Sequence, residues 1–257
     1  MPNPAYNHKK LISMALGTFL SARWEYLAMF NYEVDEALLK PHLPPYTELD
    51  LYNGKAMSVV GFLFNNTSVM GIKWPGFINF EEVNLRYYIK YFDGTNWRRG
   101  VGFISEIVPQ FLVAGMANLF YNEHYSTAKM YHIIRQVNEQ LEVEYSWKKK
   151  RQQWNSMWIK ADTVFQDIAP GSAEEFIFEH YYGYNKLNSK TAIEYSLEHP
   201  RSQVYPVKDY KLNCDVEKIY GAAFVPFIEN VQPVSVFLAK GSDVKVKTPL
   251  RIRKTAL

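Results

Sequence analysis

The chain of 257 residues is long enough to bury one large core or two small ones, and its 47% hydrophobic content sets it apart from disordered sequences. A net charge of +3 is too small to mark a nucleic-acid binder by itself. The single cysteine, Cys214, excludes an internal disulfide and a cysteine-rich metal site, and it suits a reducing, cytoplasmic compartment.

In chain order, the first feature is "KKLISMALGTFLSARW", where two lysines precede an apolar run from Leu11 to Leu20 and a small-residue exit at Ser21-Ala22. The pattern imitates a secretory signal but is too short to span a bilayer as a helix. The expectation is a short helix or strand entry packed on the core. Residues 33–50 read as a short helix, with Val34, Leu38 and Leu39 at helical spacing and Pro41, Pro44 and Pro45 ending it. "GKAMSVVGFLF" reads as a strand, with Gly54 ending the preceding turn. Residues 80–106 read as two antiparallel strands joined around Asp93-Gly94-Thr95-Asn96.

Pro109 opens an apolar helix that runs to Tyr121. Residues 142–162 form a hairpin in which Val143, Tyr145 and Trp147 alternate with polar residues, and Trp154 and Trp158 follow a charged turn. The cations from Lys148 to Arg151 are read as its solvated tip, with a nucleic-acid patch as the alternative. Ser172 and Glu175 make a capping box for a helix over 173–182, and Gly183 supplies its left-handed cap. His180 then sits near the C-terminus of that helix, where an imidazolium suits the dipole. His199-Pro200 ends a strand, and "DVKVKTPLRIRKTAL" reads as a strand that frays into a basic tail.

Strands outnumber helices, and the 16% aromatic content leans the same way. The fold class is therefore α+β and β-rich: a curved or closed, mainly antiparallel sheet with a few surrounding helices. One domain is expected over the whole chain.

Chemistry-bearing motifs are scarce. There is no G-x-S-x-G elbow, no phosphate-binding loop and no G-x-G-x-x-G fingerprint. H-E-x-x-H is absent and the six histidines are dispersed, so neither a metal nor a cofactor is expected. Cys214 stands in "KLNCDVEK" with no motif around it.

The most informative constellation lies in "FEEVNLRYYI", where Glu82, Asn84 and Arg86 alternate with Val83, Leu85, Tyr87 and Ile89. A surface strand gives this pattern, and so does a strand lining a polar pocket. If the polar face points inward, its groups must be paired, because unpaired buried charge costs several kcal/mol. Two arrangements meet that need. Glu82 and Arg86, two steps of about 7 Å each along one face, can bridge while Asn84 ties down backbone. Alternatively Arg86 offers its planar fork to a carboxylate or phosphate ligand. Glu106 in "FISEIVP" can cap the following helix, pair with Arg86 or Arg98, or act as an acid, and helix-end electrostatics is the preferred reading. Glu123-His124-Tyr125 follows a helix in a loop, where a Glu–His pair can act as general acid or base near neutral pH or simply be solvated.

"LSARWEYLAMFNYEVDEALLKPHLPPYTELD", "FEEVNLRYYI", "RRGVGFISEIVP", "NLFYNEHY", "PGSAEEFIFEHYYGY" and "EHPRS" resemble, in order, the blocks of the DUF2071 family, the YqjF-like bacterial proteins of the acetoacetate decarboxylase-like fold superfamily. The resemblance runs from about Phe19 to Val236. It implies a β-rich barrel with a pocket inside it and a few helices around it. The decarboxylases use a lysine as Schiff-base nucleophile, activated by a cationic neighbour. At the matching place this chain reads Asn122-Glu123-His124, and the nearest lysine, Lys129, comes several residues late. Imine chemistry is therefore not carried over, while Glu82 is the best counterpart of the decarboxylases' pocket glutamate.

The resemblance thus implies a pocket for a small anionic organic acid. Its expected ligand-binding residues are Glu82, Asn84, Arg86, Glu106 and Tyr125, and the catalytic candidates are Glu123 and His124. The alternative is a non-catalytic structural or homo-oligomerising domain whose polar cluster is scaffolding. A nucleic-acid binder using Lys148–Arg151 and exposed aromatics ranks last. Neither nucleic acid nor membrane is an expected partner.

Overall fold

The computed structural model describes residues 17–52 and 57–253; Gly54 and the segments before Gly17 and after Arg253 lie outside them. The chain enters through β1 (Thr18–Tyr32), α1 (Glu36–Leu39) and β2 (Thr47–Leu49). Asp35 caps α1 by accepting from the Ala37 amide at 2.9 Å. The long strands β3 (Met57–Val69), β4 (Phe80–Phe92) and β5 (Trp97–Val108) lead into α2 (Phe111–Tyr121) and β6 (Tyr125–Thr127). A meander follows: β7 (Lys129–Val137), β8 (Gln140–Lys148) and β9 (Asn155–Asp162), with Lys149–Arg151 in the turn between the last two. Next come β10 (Gln166–Asp167), α3 (Ala173–Phe178), β11 (Tyr182–Asn188), β12 (Thr191–Glu198), β13 (Gln203–Tyr205) and β14 (Val207–Asn213). The last elements are α4 (Val216–Tyr220), α5 (Val225–Ile228), β15 (Ser235–Ala239), β16 (Asp243–Lys247) and β17 (Leu250–Arg253).

Seven strands close on themselves in the order β1-β3-β4-β5-β11-β12-β16 and back to β1. Neighbours are antiparallel except β5 and β11, which pair in parallel with Tyr182 opposite Gly100. β1 lines up with β3 along much of its length, while its other edge takes β16 first and β15 afterwards. The change of partner coincides with a bulge, where Tyr26 takes a left-handed φ of 52°.

The second sheet, ordered β14-β9-β8-β7, covers the outside of the barrel. The period-two alternation of β4 separates the two layers. Val83, Leu85, Tyr87 and Ile89 share a buried core with Tyr145, Trp147, Met157 and Ile159 of the second sheet. Phe80, Glu82, Asn84 and Arg86 face into the barrel. Gly61 on β3 allows the close approach of the two sheets, because a Cβ there would run into Met157 and the Tyr145 ring. Among the described residues no helix is long and apolar enough to cross a membrane.

Two expected helix features change. Ser172 does cap α3, accepting from the Glu175 amide at 3.2 Å, but the Glu175 carboxylate closes on the Gly171 amide at 2.7 Å. The helix ends at Phe178 with Glu179 as its cap, short of the expected 182. The Tyr181 amide donates to the Arg99 carbonyl at 3.1 Å, which draws the chain into the barrel wall. Gly183 is therefore a residue of β11 and not a helix cap.

Candidate functional site

The barrel encloses a cavity of about 320 Å³. Trp24, Leu27, Phe62, Phe64, Val101 and Leu197 are among its apolar walls. Into this apolar space β4 and β5 project Glu82, Asn84, Arg86 and Glu106, and the turn after α2 adds Glu123 and Tyr125. Local structure explains the convergence. Asn84 lies directly opposite Glu106 across β4 and β5, and β6 lies parallel to β5 with Tyr125 opposite Glu106. Asn122 ends α2 in the left-handed conformation, at φ 53°, and so turns Glu123 back toward the barrel. Asn118 holds Tyr125 in place, accepting from its amide at 2.9 Å and donating to its carbonyl at 3.0 Å.

Three carboxyl groups meet here. Glu82 accepts from Asn84 Nδ2 at 2.9 Å and from the Tyr125 hydroxyl at 2.8 Å. Burial nonetheless pushes it up to about 7, against the pull of those donors and of the Arg86 charge. Glu123 Oε1 accepts from the Tyr195 hydroxyl at 2.5 Å and from Asn185 Nδ2 at 3.3 Å. Burial, with the Glu82 charge, raises this group to about 7 as well. Glu106 is 1% exposed, and burial followed by the charges of Glu123 and Glu82 holds it well above the ordinary carboxyl range. Burial thus shifts all three carboxyl groups toward their protonated forms, and Glu106 feels the charges of both others. Among the described residues no three His, Cys, Asp or Glu side chains are grouped so as to hold a metal ion.

Arg86 takes no part in an ion pair among the described residues. Its guanidinium lies 5.6 Å from the centroid of the Tyr88 ring, and its buried Nε has no hydrogen-bond partner. The same holds for other atoms of cavity-lining residues: Trp24 Nε1, Thr67 Oγ1, Asn84 Oδ1, Glu106 Oε2 and His180 Nδ1. His180 approaches Asp50 Oδ2 through Nε2 at 3.2 Å, and burial lowers its pKa. With the Nε2 proton given to Asp50, Nδ1 is left as an acceptor.

Glu82, Asn84, Arg86, Glu106 and Tyr125 all line this one cavity, together with Glu123. His124, beside them in sequence, is exposed and does not line it. Lys129 is also exposed, and among the described residues no lysine lines the cavity. One of the two alternatives for the polar face of β4 falls away, and two expectations are corrected. The Glu82–Arg86 bridge does not form, because Glu82 is held by Asn84 and Tyr125. Glu106 is no helix cap, because β5 continues through it to Val108. His180 is a buried residue that follows α3 and lines the barrel, rather than a cation on a helix dipole. Tyr195, Asn185 and His199 were not anticipated. For Tyr195 the strand alternation that puts it on one face with Leu197 was the available signal, and both line the cavity.

Gly183 supports the site at one remove. A Cβ at this position would fall within the Tyr195 ring. Gly183→Ala is expected to displace Tyr195 from Glu123 and destabilise the protein by about 1–3 kcal/mol. Urea unfolding measures the loss, and an unchanged midpoint would show that the ring moves aside freely.

The sequence profile of DUF2071, described as an uncharacterized conserved protein, matches residues 21–243. No curated protein matches the chain significantly. Several solved structures share its fold. The enduracididine biosynthesis enzyme MppR complexed with pyruvate aligns at a TM-score of 0.63 and 13% identity, covering 93% of this chain and 92% of that one. Acetoacetate decarboxylase from Legionella pneumophila aligns at 0.61 and 12%, covering 92% and 88%. An acetoacetate decarboxylase-like enzyme from Sphingomonas wittichii aligns at 0.63 and 10%, covering 93% and 95%. The chain is similar to these in fold.

Proposed function

We propose that this chain, which belongs to the DUF2071 family and has the acetoacetate decarboxylase-like barrel, binds a small organic acid in the barrel cavity without forming an imine. The observation that carries the reading is Arg86. Its guanidinium lies on the cavity wall with a buried Nε that has no hydrogen-bond partner among the described residues. Buried polar atoms are satisfied by protein, water or ligand, and a guanidinium fork fits a carboxylate in two parallel hydrogen bonds. The apolar walls suit a short carbon skeleton. The raised proton affinities of Glu82, Glu106 and Glu123 lessen the repulsion that three fully ionised carboxylates would exert on an anion. MppR, which shares the fold, is known with pyruvate bound, a ligand of the proposed class.

A thermal-shift panel of small carboxylates and phosphates tests this reading. A ligand that binds only the folded state at a hundred times its Kd adds about 2.7 kcal/mol, or a shift on the order of 5–10 °C for a chain of this size. At least one short carboxylate is expected to give such a shift, and silence across the panel would sink the reading. Treatment with acetoacetate and borohydride is expected to leave the protein mass unchanged, because among the described residues no lysine lines the cavity. A stable adduct on Lys129 would contradict the imine-free part of the proposal.

A further inference from the structure

The acid cluster contains more than is needed to hold a carboxylate. Glu106 and Glu123 face the same cavity as Arg86, one from β5 and the other from the turn after α2. They are chemically unlike. Glu123 has Oε1 occupied by Tyr195 and Asn185, while Oε2 makes no hydrogen bond among the described residues. Glu106 keeps a buried Oε2 with no hydrogen-bond partner among the described residues. Arg86 and Glu106 are one strand step apart, since Asn84 is opposite Glu106 and Arg86 lies two residues on, about 7 Å away. A carboxylate held at Arg86 with a carbonyl on the adjacent carbon thus brings that carbonyl oxygen toward Glu106.

We propose that the cavity enolises a 2-oxo acid bound at Arg86, with Glu123 taking a proton from C3 and Glu106 giving one to the C2 oxygen. This rests on the carboxylate-binding reading above. In the forward step the C3–H bond breaks and its electron pair forms the C2–C3 double bond. The carbonyl π pair moves to oxygen, which takes the Glu106 proton. Glu123 is then a carboxylic acid and Glu106 a carboxylate. The reverse step restores both, so no oxidant or reductant is needed and the net reaction is tautomerisation. Two carboxyl groups whose environments separate their proton affinities are suited to these opposite roles: Glu123 titrates at about 7, and burial beside the charges of Glu123 and Glu82 holds Glu106 well above the ordinary carboxyl range. Glu82, bound on both oxygens by Asn84 and Tyr125, is a positioning residue.

Pyruvate, the smallest 2-oxo acid with an enolisable C3, is the probe. Its methyl proton signal is followed by NMR in deuterium oxide with the full chain, and thermal shift with pyruvate is recorded in parallel. The expected result is methyl exchange at least 100-fold faster than without protein. Glu123→Gln and Glu106→Gln should each lose 100-fold or more of that rate while keeping the pyruvate-induced shift. A pyruvate shift in the parent protein with exchange at the protein-free rate overturns the enolisation and leaves the binding reading standing. Absence of both the shift and the exchange overturns the enolisation, and the carboxylate panel then decides the binding reading separately. Full exchange in Glu123→Gln overturns the assigned base.

Discussion

Arg86→Ala is expected to weaken binding of a small carboxylate by about 10- to 150-fold, the range of a lost hydrogen bond to a charged group of about 1.5–3 kcal/mol. The fold should survive, because among the described residues Arg86 has no ion pair to break and its guanidinium lies 5.6 Å from the centroid of the Tyr88 ring. Arg86→Lys keeps a positive charge but loses the planar fork, so it should recover only part of the affinity. A titration of each variant separates these outcomes. Equal affinity in the parent protein and Arg86→Ala would show that the guanidinium does not hold the ligand.

The second large effect is on stability against pH. Glu82 and Glu123 titrate at about 7 in the folded chain, against an ordinary value of 4.5. Between those pH values the folded protein holds protons that the unfolded chain has released. Stability should therefore be fully present below about pH 4.5, fall as pH rises through the window to 7, and level off above it as far as these groups are concerned. At about 1.4 kcal/mol per pH unit the window represents up to ~3 kcal/mol for one group. The two groups interact and share that effect. Glu82→Gln removes the charge while keeping the shape. Its amide oxygen can still accept from Asn84, and its amide nitrogen can donate to a rotated Tyr125 hydroxyl. The variant should be more stable than the parent protein by about 2 kcal/mol at pH 8 and indistinguishable from it at pH 4.5. Urea midpoints at the two pH values measure this, and an equal loss at both would mean that Glu82 contributes through packing alone. The same linkage predicts that carboxylate binding tightens as pH falls toward 6, because a protonated cluster repels an anion less.

The inward face of β4 was legible because alternation is a local signal: four apolar residues on one side and Glu82, Asn84 and Arg86 on the other require two different environments. What the alternation could not decide was the partner of Arg86. That depended on Tyr125, which sits 43 residues from Glu82 and takes one of its oxygens. Glu106 was misassigned for a related reason. Pro109 is a strong local signal for a helix start, and only the pairing of β5 with β4 and β6 shows the strand continuing through Glu106 to Val108. Tyr195 and Asn185 reach Glu123 from 72 and 62 residues away. Their approach depends on barrel closure through the parallel β5–β11 pair, which no local pattern encodes. Gly183 shows the same limit, since its position after a capped helix suits a C-cap, whereas its actual constraint is the Tyr195 ring across β12. The cavity walls, by contrast, come from aromatic strand residues such as Phe62 and Phe64, whose enrichment the composition already displayed.

Calorimetric titration of the best-binding carboxylate from the panel, beside its neutral methyl ester, tests the central claim most directly. The parent protein is expected to bind the acid and to reject the ester by tenfold or more, and Arg86→Ala is expected to lose that preference. An ester that binds the parent protein as tightly as the acid, or an Arg86→Ala protein that still discriminates between them, would contradict the assignment of Arg86 as the carboxylate-holding residue of the barrel.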